Sequence, residues 1–140
     1  MRKALNHEPW PEIPVDFGST AVTGMHALAV EKLRDYYGLE KRPVKVEEPY
    51  QFLGRLDDDL LDAMAVDTIG ISPRNTLFGF PNENWKEFRT WWGQTVLVSG
   101  HFQTRPSPDG GLFIYPGGDL SVAPSGHMPR GGYFFDSIVR

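Results

Sequence analysis

Apolar residues recur at intervals of three and four between residues 25 and 37, which predicts an amphipathic helix. The residues on its apolar face are Met25, Leu28, Ala29, Leu33, Tyr36 and Tyr37. Thr23 is the expected N-cap and Gly38 the expected stop. A second helical region is predicted from Pro49 to Met64, because proline is favoured in the first turn of a helix.

Two compact apolar runs predict buried strands on either side of these helices. The first is Ile13–Phe17, which ends at Gly18, and the second is Val66–Ile71. Strand, helix and strand in this order form a βαβ unit, and such units build parallel sheets. The sequence therefore predicts an α/β fold for residues 1–72.

The remainder of the chain, residues 73–140, is richer in glycine and aromatic residues and predicts strands separated by turns. The expected strands are Thr95–Val98, His101–Thr104, Leu112–Tyr115 and Gly132–Asp136. Gly-, Pro- and Asp-containing turns separate them at short intervals. This spacing is typical of an antiparallel meander, inserted after the second strand of the βαβ unit.

Composition excludes several classes of function. With a net charge of -4 and a pI near 5.5, the chain lacks the basic surface of a nucleic-acid-binding protein. Its 140 residues contain no apolar run of the ~20 residues that a membrane helix needs. The absence of cysteine excludes disulfides and thiolate metal sites. We therefore expect no membrane or nucleic-acid partner and a cytoplasmic location.

A series of short motifs resembles the uroporphyrinogen decarboxylase superfamily, and most closely its branch of uroporphyrinogen decarboxylase-like proteins and corrinoid-dependent methyltransferases. In chain order the motifs are Leu5-Asn6-His7, Ile13-Pro14-Val15-Asp16-Phe17-Gly18, Thr23-Gly24-Met25-His26-Ala27, Trp85-Lys86-Glu87, Val96-Leu97-Val98, Tyr115-Pro116-Gly117-Gly118-Asp119 and Met128-Pro129-Arg130-Gly131-Gly132-Tyr133-Phe134-Phe135-Asp136. The family often has Pro-Asp-Arg before its first strand, where this chain has Trp10-Pro11-Glu12.

The resemblance implies a partial TIM (β/α)8 barrel, with the first βαβ unit in residues 1–72 and, in 73–140, a β-rich insertion and the start of the following barrel segment. Complete barrels typically need about 250 residues, so the chain is expected to be an amino-terminal fragment that is inactive alone. The implied activity is tetrapyrrole decarboxylation, a lyase reaction of porphyrin biosynthesis, or methyl transfer from a methylated corrinoid. The methyltransferase branch is the better match, but the sequence does not decide between them.

The resemblance also bears on cofactors and partners. No cofactor is expected within this chain, although zinc and a corrinoid protein serve members of the full-length family. Two parallel strands would leave open edges, so a complementary chain or a second copy is the expected partner.

Active sites of such barrels lie at the carboxyl ends of the strands, which directs attention to polar residues after the two predicted strands. Those residues are Asp16, Ser19, Thr20, His26, Ser72, Arg74 and Asn75. Asp16 and His26 are the candidate catalytic acid and base. The other five are candidate substrate-binding residues. The alternative interpretations are that Asp16 is a turn residue, that His26 caps a helix and that Arg74 is a solvated loop residue.

Other clusters favour structural roles. Asp57, Asp58 and Asp59 lack the alternating spacing of a calcium loop and fit the start of a helix better. The aromatic residues around Trp91 and Trp92 are either a stacking platform or the core of a small sheet. The alternative function is a non-catalytic, β-rich binding or assembly module that uses this aromatic sheet as an interface.

Overall fold

A computed structural model describes residues 2–9 and 11–138, so Trp10 of the Trp10-Pro11-Glu12 departure lies outside the described residues. The elements in chain order are helix α1 (Arg2–Leu5), strand β1 (Met25–His26), helix α2 (Ala27–Tyr36), strands β2 (Val44–Glu48) and β3 (Leu53–Gly54), helix α3 (Asp58–Ala63), strands β4 (Lys86–Arg89), β5 (Thr95–Val98), β6 (Thr104–Pro106) and β7 (Leu112–Ile114), a 3-10 turn (Pro116–Gly118), and strands β8 (Gly126–Met128) and β9 (Asp136–Ser137).

The strands form two sheets. The five-stranded sheet has the order β1-β3-β2-β5-β4, and the four-stranded sheet has the order β6-β7-β8-β9. Only β2 and β5 pair in parallel, with Val44 opposite Val96, whereas every other named pair is antiparallel. The five-stranded sheet takes strands from both sides of the boundary that the sequence predicted at residue 72.

The partial TIM barrel expected from the sequence is wrong. The described chain is mostly β, with three short helices, and it contains no series of βα units. Neither Ile13–Phe17 nor Val66–Ile71 is a strand of a sheet. The strands that are present lie elsewhere, in the meander and in the chain around α2.

The physical reason lies in the neighbours of those two runs. They lie side by side, with the Asp67 N–H donating to the Val15 carbonyl at 2.9 Å and the Val15 N–H donating to the Asp67 carboxylate at 2.9 Å. Among the described residues neither run pairs with a further strand, and Pro14 has no N–H to donate. A pair without flanking strands or a covering layer does not build a regular ladder.

Helix α2 agrees with the sequence pattern but begins later than predicted. His26, and not Thr23, is the N-cap, because its Nδ1 accepts a hydrogen bond from the Leu28 N–H at 3.1 Å. The predicted helix after Pro49 is a turn up to Phe52, and regular helix is confined to Asp58–Ala63 with Asp57 at its start.

One hydrophobic core joins the two sheets and α2. Its largest fully buried side chains are Phe52, Phe80, Phe135, Leu60, Ile114, Met128, Val30, Val96 and Val98. Ala27 and Val30 are the fully buried apolar residues of α2 in this cluster, which also contains Val44 and Val46 of β2 and Val96 and Val98 of β5. Within the described residues, no helix combines the length and apolarity required to cross a membrane.

Candidate functional site

A cleft of about 300 Å³ brings together residues that follow the two predicted strands. Ser19 and Thr20 line it from one segment, and Ser72 and Asn75 line it from the other. These are four of the five residues that the sequence nominated for substrate binding. Their function stays a prediction, but their proximity is a feature of the structure.

The direction of the two segments explains this proximity. Val15 contacts Asp67, and Asp16 contacts Thr68, each pair being 52 residues apart. A Cβ on Gly70 would come within 2.3 Å of the Ser19 carbonyl oxygen, so the chains nearly touch there. The contact moves forward by one residue in both segments, so the two segments run in the same direction. The residues that follow them therefore lie at the same end of the pair.

Asp16 ties the two segments together beside the cleft. Its carboxylate accepts a hydrogen bond from the Thr68 hydroxyl at 2.6 Å and another from the Ser19 hydroxyl at 2.7 Å. The Thr68 and Ser19 hydroxyls lower the pKa of the Asp16 carboxyl below its ordinary value. At neutral pH it is therefore an anion that accepts hydrogen bonds and holds Ser19 in place.

His26 lies in a different environment. Its Nδ1 accepts the Leu28 N–H and its Nε2 donates to the Tyr133 carbonyl at 2.8 Å, which defines the neutral tautomer protonated at Nε2. The ring stacks on Phe52 and also contacts Trp92, with centroids 5.7 and 5.5 Å apart. Both nitrogens are thus occupied, and His26 does not line the cleft with Ser19 and Ser72.

Arg74 is exposed and does not line the cleft, although Ser72 and Asn75 on either side of it do. The structure therefore brings Ser19, Thr20, Ser72 and Asn75 together, places Asp16 beside them through Ser19, and leaves His26 and Arg74 apart. The catalytic and binding assignments of these residues remain predictions.

Four polar residues of the cleft were not predicted from the sequence: Glu47, Glu48, Thr76 and Asn82. Glu48 accepts the Tyr50 and Gln51 N–H groups at 2.9 and 2.7 Å. Asn82 donates its Nδ2 to the Glu47 carbonyl at 2.7 Å. Two consecutive glutamates directly after Val44-Lys45-Val46 were the available signal, but nothing in the sequence places Asn82 near them.

Burial changes the ionisation of both glutamates. It raises the pKa of Glu47 above its ordinary value, while Arg55 acts in the opposite direction from 3.8 Å away. Burial also raises the pKa of Glu48, against the N–H groups of Gln51 and Tyr50 that favour the charged form. Desolvation penalises an isolated carboxylate, so both groups are better accommodated with a positively charged or donating partner.

Apolar side chains complete the cleft. Leu53 of β3 lines it together with Ile71 and Leu77. Ile71 and Leu77 are largely exposed to solvent, whereas Leu53 is buried. The cleft therefore has an acidic, hydrogen-bonding side and an apolar rim.

A serine, a histidine and an aspartate also meet at the hairpin between β6 and β7. His127 Nε2 lies 3.1 Å from both the Ser107 hydroxyl and the Asp109 carboxylate, and the Ser107 hydroxyl bonds to that carboxylate as well. A catalytic triad requires the serine and the carboxylate on opposite ring nitrogens, but here both contact the same one. The cluster closes a turn, in which the Gly111 N–H also donates to Asp109 at 3.2 Å.

Two of the three aspartates at the start of α3, Asp57 and Asp59, form ion pairs. Arg34 of α2, which is only 3 % exposed, makes two 2.8 Å hydrogen bonds with the Asp59 carboxylate, and Arg42 approaches both Asp57 and Asp59. Arg34 lowers the pKa of Asp59 to about 2. Among the described residues, no group of three or more His, Asp or Glu side chains is arranged to hold a metal ion.

The tryptophans divide between the core and the surface. Trp92 packs against the core and contacts the Phe52 ring, whereas Trp91 is partly exposed and donates its Nε1–H to the Gly132 carbonyl at 2.7 Å. They form no open stacking platform in the part of the chain that the structure describes.

Comparison with known proteins gave no match to a family model, to a curated protein or to a solved structure. The resemblance to the uroporphyrinogen decarboxylase superfamily therefore rests on the sequence motifs alone.

Proposed function

We propose that this chain is an amino-terminal part of a uroporphyrinogen decarboxylase-like protein and that it contributes a substrate-binding cleft to a larger enzyme. The observation that carries the proposal is the cleft in which Ser19, Thr20, Ser72 and Asn75 meet. The family resemblance nominated these residues from two separate parts of the sequence. Their convergence on one cleft is what a shared binding role requires.

Exposed apolar side chains support the need for further polypeptide. Ile13 is 87 % exposed, Ile69 is 85 % exposed and Ile71 is 97 % exposed, all on the two segments that border the cleft. A large side chain of this kind gains roughly 1.5–3 kcal/mol when it is buried. Several such residues on adjacent segments mark a surface that another polypeptide would cover.

The roles of the residues follow from their contacts. Asp16 is a positioning residue, because it holds the Ser19 hydroxyl beside the cleft and joins it to Thr68. Ser19, Thr20, Ser72 and Asn75 would donate and accept hydrogen bonds with a substrate. The described residues offer no fit for zinc, so we assign this chain no step that uses the metal.

The proposal is tested by purifying the chain under native conditions from its own cells. We expect a species much larger than the 15.8 kDa of this sequence. That species should transfer a methyl group from a methylated corrinoid or decarboxylate a tetrapyrrole, and Asp16→Ala within it should lower turnover. A 15.8 kDa monomer with one sharp melting transition and neither activity would contradict the proposal.

The exposed isoleucines also favour a second candidate, a non-catalytic assembly module. In that case the chain would bind its partner through Ile69 and Ile71, but the complex would have neither activity. Substituting both isoleucines by serine should weaken binding in either case. Substituting Ser19 and Asn75 by alanine should lower turnover only if the chain serves an enzyme.

A further inference from the structure

The segments 12–22 and 66–77 share one region of apolar surface. Asp16 is hydrogen-bonded to Thr68, so the two segments lie against each other. They are closest at Gly70, where a Cβ would collide with the Ser19 carbonyl oxygen. Large apolar side chains of both segments are exposed to solvent: Ile13, Phe17, Val22, Ile69, Ile71 and Leu77. Exposed apolar side chains grouped on adjacent segments are typical of an interaction surface.

The backbone of residues 69–71 is available for pairing. Among the described residues, no backbone hydrogen bond involves the N–H or carbonyl group of Ile69, Gly70 or Ile71, and these residues belong to no sheet. A row of unpaired backbone groups is a template on which a strand of another chain can pair. An extended peptide segment satisfies these groups and covers the isoleucines at the same time, as in β-augmentation.

The charge of this surface selects among peptide segments. The segments 12–22 and 66–77 contain three carboxylates, Glu12, Asp16 and Asp67, and one cation, Arg74. Among the described residues, Asp16 and Asp67 accept hydrogen bonds from neutral groups only, and none of the three carboxylates forms an ion pair. Lysine or arginine side chains of a partner would complement them, and acidic side chains would be repelled.

The same charge argues against a second copy of this chain as the occupant. In a two-fold symmetric dimer the same patch meets itself, so each copy would bring the same three carboxylates to the interface. The whole chain also has a net charge of -4. Like charges placed opposite each other suppress association, so the surface fits a different polypeptide.

We propose that the surface formed by residues 12–22 and 66–77 binds an extended segment of a different polypeptide that carries apolar and basic side chains. Its backbone pairs with residues 69–71, its apolar side chains cover Ile69 and Ile71, and its basic side chains reach Asp67 and Asp16. This inference rests on the proposed function, because it names the chemistry of the polypeptide that completes the larger enzyme.

The test uses three heptapeptides with blocked ends. The first is Lys-Thr-Val-Thr-Val-Thr-Lys, which places its lysines and valines on one face when it is extended. The second has glutamate in place of lysine, and the third has serine in place of valine. Each is titrated into the isotope-labelled chain while the amide signals of Ile69, Gly70 and Ile71 are followed by NMR. The signal of Gly93, in the turn between β4 and β5, is the reference.

We expect the lysine–valine peptide alone to shift the three signals, and the shifts to shrink as salt is added. Equal shifts with the glutamate peptide or with the serine peptide would overturn the proposal, because charge or apolar contact would then play no part. No shift with any peptide would overturn it as well. Sedimentation of the free chain tests the second copy: a dimer that Ile71→Ser abolishes would place another copy on this surface and overturn the proposal.

Two variants locate the bound peptide. Ile71→Ser should weaken binding by about tenfold or more, because it removes a large apolar contact. Its control is Tyr36→Ser, which removes an exposed apolar side chain from α2 and should leave binding unchanged. Equal weakening in the two variants would mean that the peptide binds exposed apolar groups without selection, and the surface would not be a specific site.

The charge is tested by Asp67→Asn, whose amide oxygen can still accept the Val15 N–H. We expect binding to weaken about threefold, the value of one exposed ion pair. Glu87→Gln, at an exposed residue of β4, is the matched control and should have no effect. Equal weakening in both would show an effect of net charge alone and would contradict the proposal.

The titration needs neither turnover nor the native partner, so the two proposals fail separately. A peptide that binds as expected to a chain whose native complex has neither activity leaves the surface in place and removes the proposed function. An active complex in which Ile71→Ser leaves assembly unchanged has the opposite meaning.

Discussion

Two pairs of parallel segments in this molecule are rich in branched apolar residues but lie in very different environments. Strands β2 and β5 pair through Val44 and Val96, and both residues are buried between β3, β4 and α2. The runs 13–17 and 66–71 also lie side by side in one direction, yet they expose their isoleucines. An apolar run therefore becomes a buried strand only when neighbouring elements cover it.

The largest expected effect on the free energy of unfolding is in the buried region, in the hydrophobic core around β2 and β5. Phe52→Ala should destabilise the protein by about 3–5 kcal/mol, because Phe52 is fully buried and its ring contacts those of Phe88 and Trp92. The positive φ of Phe52, 57°, is strained for alanine as well, so the loss reports mainly the cavity. Urea unfolding followed by tryptophan fluorescence measures it.

Ile71→Ala is the matched substitution in the exposed pair of segments, 13–17 and 66–71. Since Ile71 is almost fully exposed, the free energy of unfolding should change by less than about 0.5 kcal/mol. A loss comparable to that of Phe52→Ala would mean that Ile71 is buried in the isolated chain, and the contrast between the two regions would fail.

The same contrast explains how far the sequence predicts the fold. The period of α2 and the alternation of β5 at Thr95–Val98 are local signals, and both elements are present. The run Val66–Ile71 carries an equally strong local signal, but its outcome depends on neighbours that the pattern does not specify. Its sequence therefore predicted a strand where the structure has none.

The candidate site, like the fold, was predictable from the sequence only in part. The proximity of Ser19 and Ser72 was predictable, because it follows from two segments that run in the same direction. The cap role of His26 was among the alternatives, but its bond to Tyr133 is a contact across 107 residues. Asn82 reaches Glu47 across 35 residues with no motif to mark the contact.

The ion pair between α2 and α3 should give the next largest effect. Arg34→Leu should cost about 1–3 kcal/mol, because the buried Arg34 satisfies the Asp59 carboxylate and the Glu40 carbonyl. The larger cost of breaking a fully buried ion pair does not apply, because the Asp59 side chain is about one-third exposed. Denaturant unfolding gives the value.

Arg42→Leu serves as the comparison for Arg34→Leu. Arg42 is partly exposed and contacts the same aspartates, so its loss should cost less than about 1 kcal/mol. If the two variants are equally unstable, burial of Arg34 is not what gives the pair its strength.

His26 links the start of α2 to the end of the chain, and replacing it should have a smaller effect. His26→Ala should cost about 1–2 kcal/mol through the lost cap and the lost bond to Tyr133. His26→Asn can still cap the helix but cannot reach Tyr133 in the same way, so its melting temperature should lie between those of the wild type and His26→Ala. Thermal unfolding of the three proteins checks this order.

The smallest effect concerns Asp16, which joins the exposed pair of segments. Its folded pKa is depressed by Thr68 and Ser19, so its contribution is present above the ordinary value of 3.8 and is lost as the pH falls through the lower folded value. Asp16→Asn should mimic that loss at neutral pH. We expect faster hydrogen exchange of the Asp67 amide, which bonds to Val15, with the midpoint of global urea unfolding unchanged.

Asp109→Asn provides the control for that measurement. The pKa of Asp109 is also lowered, to about 2, by its hydrogen bonds with Ser107, Gly111 and His127. Asp109, however, closes a turn of the four-stranded sheet and does not contact the segments 13–17 and 66–71. Its substitution should leave exchange at Asp67 unchanged. If Asp16→Asn instead lowers global stability as much as a core substitution does, the pair 13–17 and 66–71 unfolds together with the sheets. The two parallel pairs would then belong to one cooperative unit despite their different exposure, and packing alone would not account for the stability of either.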